Sequence, residues 1–217
     1  MINPWLQIPQ MPPFCLFQDT EKINTFNHGI SNEYKFVLNS LPIPYIGNPK
    51  SKVYILQLNP GHDELDLDVQ STEPYIKLWK QNINHSGGFY YIDKSIMDCP
   101  GYKYWLPRLR YLIRDCGYDN VYNNLFLIQY IGYHSISFND SIGRLESQNY
   151  AKHLIELAMQ EDKIIIAMRS INKWIKLVPN LDTYKNLFKC TNPRNPHINP
   201  KQLDLNYNKI VCSVNNG

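Results

Sequence analysis

Asn59-Pro60-Gly61-His62 stands directly after the apolar run Val53-Tyr54-Ile55-Leu56-Gln57-Leu58. Pro60 fixes its own φ and restricts Asn59 to extended geometry, so the Asn59 amide leaves the run in one direction. Gly61 lets another group approach the backbone closely. An amide is not a base, but it orients a water, and its oxygen stabilises nearby positive charge. Cleavage of a glycosidic bond through an oxocarbenium-like sugar needs both services. A plain Asx-Pro turn uses the same residues, and the motif alone leaves the two readings open.

Other side chains could share that chemistry. Gln129 closes a second apolar run, and its carboxamide can contact a base edge through two hydrogen bonds. As a solvent-facing strand residue it would read nothing. Phe89 and Tyr91 follow Gly87-Gly88 and could stack on a flat ligand or pack their loop onto the core. Between Lys163 and Lys201 stand eight basic residues and one acid, Asp182, a local excess of seven positive charges. Lys173, Lys176 and Arg194 lie in this segment, which is either a phosphate-facing surface or a solvated basic face.

These residues need elements that bring them together. Residues 53–58, 121–131, 163–168 and 185–190 read as strands, the third of them, KIIIAM, as a central parallel one. Residues 31–41, 103–114 and 145–160 carry helical patterns, SINKWIKLV is a helix started by Ser170, and KQLDL is a short one. Pro107 is placed in or near the first turn of the helix at 103–114. Residues 1–20 read as a proline-rich arm, LPIPYIGNPKSK as an irregular entry to the first strand, and 59 to about 100 as a long polar segment. Strands alternating with helices predict an α/β fold, a three-layer sandwich around a central, mostly parallel four-stranded sheet. Ligands of such sheets bind beyond the carboxyl ends of the strands, at Asn59–His62, 129–135 and 191–200.

Composition bounds the rest. The 217 residues suit a single domain, and a net charge of +3 permits nucleic-acid binding without demanding it. Five widely spaced cysteines form no C-x-x-C, which argues against a disulfide framework, a zinc site or an iron–sulfur cluster and for a reducing cytoplasm. The N-terminus lacks a signal-peptide pattern, and no run of 18 apolar residues exists.

GNPKSKVYILQLNPGH resembles the first motif region of the uracil-DNA glycosylase superfamily. Members end the first strand with G-x-N-P-G or G-Q-D-P-Y-H. Asn59-Pro60-Gly61 matches the N-P-G form of the mismatch-specific and single-strand-selective branches, and His62 falls where the second form has its His. The family's second motif, H-P-S-P-x-x or N-P-S-x-L-S, follows the last strand. Here CTNPRNPHINP stands there, with Pro193-Arg194-Asn195-Pro196 similar to the single-strand-selective P-R-N-P. Tyr133-His134-Ser135 resembles the Y-H-S of a subgroup that carries L-N-P-G. The chain departs from the pattern where Gln57 replaces the first Gly, Cys190 the catalytic His or Asn, and Asn192 the Ser.

The resemblance implies a monofunctional DNA glycosylase that flips a uracil-like or modified base and hydrolyses its N-glycosidic bond, without cofactor or metal. Asn59 would hold the water and His134 donate to the leaving base, unless it is a structural His bonded to a loop carbonyl. Gln129, Phe89, Tyr91 and Gly61 would receive the base, Gly61 leaving more room than a Tyr. His62, Arg194, Asn195, His197, Lys173 and Lys176 would contact DNA, with Arg194 filling the vacated stack. A monomer is expected. The Cys190 departure keeps open a non-catalytic reader of a modified base, and hydrolysis of a small nucleoside is a third reading.

Overall fold

A computed structural model describes residues 1–217. It is an α/β fold built on one mixed, five-stranded sheet. The strands are β1 (Tyr45–Gly47), β2 (Val53–Gln57), β3 (Leu125–Gln129), β4 (Ile164–Ala167) and β5 (Leu187–Lys189), in the order β1-β3-β2-β4-β5. The four apolar runs supply β2 to β5, all mutually parallel, while β1 adds an antiparallel edge strand against β3. Every residue of β2, β3 and β4 is buried, as continuous apolar strands covered on both faces must be. Gln57 and Gln129, the last residues of β2 and β3, stand side by side in register.

The helices are α1 (Phe17–Gly29), α2 (Asp66–Gln70), α3 (Glu73–Ile83), α4 (Pro100–Cys116), α5 (Tyr118–Asn124), α6 (Gln148–Gln160), α7 (Ile171–Leu177), α8 (Pro200–Leu203) and α9 (Asn206–Asn215). None is long and apolar enough to cross a membrane.

Several elements differ from the sequence expectation. The expected helix at 31–41 is only a 3-10 turn, Asn32–Tyr34. Its backbone is spent elsewhere: Val37 N donates to His134 O at 2.9 Å, and Glu33 O accepts from Ser137 N at 2.8 Å. Helix α1 lies partly in the expected arm; only Asp19 and Ile23 of it are buried, so it has no apolar stripe to betray it. The polar segment 59–100 contains α2 and α3. The residues from 118 to 124, expected in part as strand, form α5. Helix α4 starts at Pro100, so Pro107 lies in its interior rather than its first turn. Helix α9 was not expected.

Helix α3 seals the sheet edge. Tyr75, Trp79, Asn82 and Ile83 form its buried face. The Asn82 amide donates from Nδ2 to Tyr45 O at 2.8 Å and accepts at Oδ1 from Gly47 N at 2.9 Å. Gly47 has φ +101°, and a Cβ there would meet Leu125 O at 2.3 Å.

Candidate functional site

The carboxyl ends of β2, β3 and β4 open into a cavity of about 560 Å³, a size ordinary for small-ligand sites. Gln57 and Gln129 come from the strand ends and Asn59, Pro60, Gly61, His62 and Asp63 from the first loop. Tyr104 and Trp105 of α4, the loop from His134 to Phe138, and Arg169 after β4 line further parts of it, with Asp66, Tyr91, Pro100 and Gly101. This is the strand-end position that a parallel sheet offers a ligand.

Asn59 is held by its own turn and by Ser135. Its Nδ2 donates to Ser135 Oγ at 2.8 Å and to Pro60 O at 3.1 Å. The Ser135 hydroxyl donates in turn to Ser137 O at 2.9 Å, so its oxygen can only accept from Asn59. That sets which end of the amide is nitrogen, a choice otherwise ambiguous. Oδ1 of Asn59 takes no hydrogen bond from the protein, and the residue lines the cavity. A free amide oxygen at a fixed orientation can hold a water or face a developing cation. The backbones of Gly61 and Ser135 form a parallel bridge that ties the two loops together beside it.

Gln129 is 6% exposed, and its Oε1 is buried with no hydrogen-bond partner. A buried carbonyl left unpaired costs about 1–3 kcal/mol, which a donor on a ligand would recover. Gln57 Nε2 is weakly engaged, 3.4 Å from Tyr104 Oη and 3.7 Å from Met168 Sδ. Tyr91 lines the cavity, and burial pushes its phenol well above the ordinary range, so it stays neutral. Gly101 permits its approach, since a Cβ there would lie 2.5 Å from the Tyr91 ring. Phe89 does not reach the cavity: it is fully buried, edge-on to Trp105 at 5.2 Å, and Trp105 takes the lining position.

His134 is buried, with Nδ1 2.6 Å from Gly61 O and Nε2 3.1 Å from Leu41 O. Burial first of all lowers its pKa, with the Asp66 carboxylate opposing. Both ring nitrogens face backbone carbonyls, so His134 is not placed to donate to a leaving base. His62 Nδ1 lies 3.5 Å from Asp66 Oδ2, and His134 Nδ1 lies 3.7 Å from the same oxygen.

The loop after β5 stands outside the cavity lining, and Arg194, Asn195 and His197 with it. It is joined to the site through arginines: Arg169 Nη2 donates to Arg194 O at 3.1 Å, and Arg108 Nη2 to Asn195 Oδ1 at 3.2 Å. The Arg108 guanidinium stacks 3.6 Å over the Tyr104 ring. Arg169 Nε is buried without a partner. Cys190 is buried and absent from the lining, its thiol pushed up to about 12 by burial, and so does not substitute for the motif's imidazole. Nor is the basic segment one free face. Lys163 pairs with Glu161, Lys173 with Asp140 and Lys185 with Asp162, while Lys176 is exposed.

Asp66, Ser135, Tyr104 and Arg169 are among the lining residues that the sequence expectation did not include. Asp66 had a signal, its i+4 spacing from His62; Ser135 follows His134 directly; Tyr104 and Arg169 depend on tertiary placement. Around Gly61 an added Cβ would meet nothing within 4 Å. Compared with protein-family models, curated proteins and solved structures, the chain matches none.

Proposed function

We propose that the cavity receives a nucleobase and that the protein hydrolyses the N-glycosidic bond of a flipped uracil-like or modified base in DNA. The observation that carries this reading is the Asn59 amide, fixed through Ser135 with its oxygen free in a cavity. Asn59 Oδ1 holds the attacking water and faces the sugar as it gains positive charge. The unpaired Gln129 Oε1 accepts from a donor on the base edge. Tyr91, Tyr104 and Trp105 supply flat surface for the ring.

A second reading, a non-catalytic reader of a modified base, is favoured by the occupied nitrogens of His134 and the remoteness of Cys190 from the cavity. Neither residue can protonate a departing base. Screening base release by mass spectrometry, from oligonucleotides carrying uracil, hypoxanthine, hydroxymethyluracil and other modified bases, separates the two. Release is expected, and Asn59→Ala should lower the single-turnover rate by roughly 10²-fold while keeping DNA affinity. Tight binding of a modified oligonucleotide with no release would establish the reader. A rate within a factor of about two of wild type for Asn59→Ala would remove Asn59 from the mechanism.

A further inference from the structure

Three side chains in the cavity wall have a use beyond base recognition. We propose that His62, Asp66 and His134 bind a divalent transition-metal ion of the zinc type, with one coordination position left to the cavity. One ligand atom from each lies within 4.8 Å of the other two. Zinc ligands about 2.0–2.1 Å from a tetrahedral ion stand roughly 3.3 Å apart, close to the 3.5 Å and 3.7 Å separations of the two imidazoles from Asp66 Oδ2. Two imidazoles and a carboxylate are a borderline donor set, suited to Zn²⁺ rather than to Mg²⁺ or Ca²⁺.

Two ring nitrogens bear on cation binding here. His62 Nδ1 is buried and has no hydrogen-bond partner. His134 meets a carbonyl oxygen at each ring nitrogen, and a neutral ring has one proton to give. With that proton on Nε2, donated to Leu41 O, the Nδ1 lone pair faces Gly61 O at 2.6 Å and the Asp66 carboxylate. An ion on Nδ1 takes the place of the proton that would otherwise bond Gly61 O, and that carbonyl, 2.6 Å away, turns aside to admit it. The Nε2–H to backbone carbonyl bond is the orienting contact that metal-binding histidines use. Asp66 Oδ2 is oriented likewise, accepting from Asp63 N at 2.8 Å. All three side chains line the cavity, so the ion's open position would carry a water into it.

The proposal stands independently of the base reading, and its test needs no substrate. The full-length protein is stripped with a chelator, in a Cys212→Ser background that removes the exposed thiol. It is then titrated with Zn²⁺ by calorimetry and with Co²⁺ by visible spectroscopy. One equivalent of Zn²⁺, a four-coordinate cobalt spectrum and a raised melting temperature are expected. His62→Ala, at a half-buried position, should weaken Zn²⁺ binding at least about 10²-fold, and Asp66→Asn should do the same; circular dichroism checks that each is folded. Zinc affinity in folded His62→Ala and Asp66→Asn equal to that of the parent would overturn the site, as would no stoichiometric binding by the parent.

Discussion

The Asn59 amide has its orientation set by a hydroxyl two loops away in sequence and next to it in space. Ser135 is spent in both directions, accepting from Asn59 and donating to Ser137 O. Ser135→Ala removes the acceptor and leaves Asn59 Nδ2 with only the 3.1 Å contact to Pro60 O. The amide can then rotate, and its oxygen is no longer presented to the cavity in one orientation. If the protein releases base, kcat should fall by about 10-fold with little change in KM, because the lost orientation matters most in the transition state. A parallel rise in KM would show instead that Ser135 supports binding. The Asn-Pro-Gly run displayed this chemistry in the sequence, because Pro60 and Gly61 constrain the backbone locally. The partner that completes it did not show, since Ser135 is ordinary until β3 and the loop after it return beside β2.

At the scale of elements, continuous apolar runs were legible and interrupted patterns were not. Strands β2, β4 and β5 fall in the expected runs, and β3 does so once its first residues are given to α5. Strand β1 has three residues, entered from prolines and ending in a glycine, too few to show a period. Helix α3 was hidden by the polar residues around it, although Tyr75, Trp79 and Ile83 have helical spacing. Just past its end, His85 stacks 4.3 Å from the Tyr45 ring and meets Tyr150 Oη at 2.9 Å. Burial lowers its pKa from 6.5 to about 4. The folded state therefore favours the neutral ring, while the unfolded chain takes up the proton near pH 6.5. The stability contributed by neutral His85 is complete above that pH and is lost as pH falls towards 4. For a part-buried ring the loss should be about 2 kcal/mol. His85→Asn, which tolerates the left-handed backbone there, φ 57°, should flatten this part of the pH–stability curve measured by urea unfolding.

For the whole molecule, the sequence showed an excess of charge but not its distribution. Lys163 and Lys173 are consumed by acids that lie outside the basic segment, so the segment's formal charge overstates its free cations. Arg169 is the one basic residue of that segment in the cavity lining, and Arg194 is tied to it through a backbone oxygen. On the DNA reading, Arg169→Ala should weaken binding to an oligonucleotide with a flippable base more than to an intact duplex. Lys176→Ala should weaken both about equally and reduce the salt slope, as a phosphate contact does. Lys173→Ala should leave the slope unchanged, its charge already being matched by Asp140. Fluorescence anisotropy on the two oligonucleotides at several salt concentrations reads all three. Equal losses for Arg169→Ala on both would place Arg169 on the backbone rather than in the base site. The expected link between the cavity and the loop after β5 is thus present in part, carried by Arg169 rather than by shared lining.

The contact between Asn82 and β1 has a consequence for what the sheet can recruit. An open edge strand displays a row of unpaired donors and acceptors that any extended segment can copy, and a sheet then grows from chain to chain. Tyr45 O and Gly47 N, the groups that would start such growth, are already matched by a single side chain of α3. One carboxamide imitates one residue of a neighbouring strand and offers no second edge, so it terminates the ladder where a true strand would extend it.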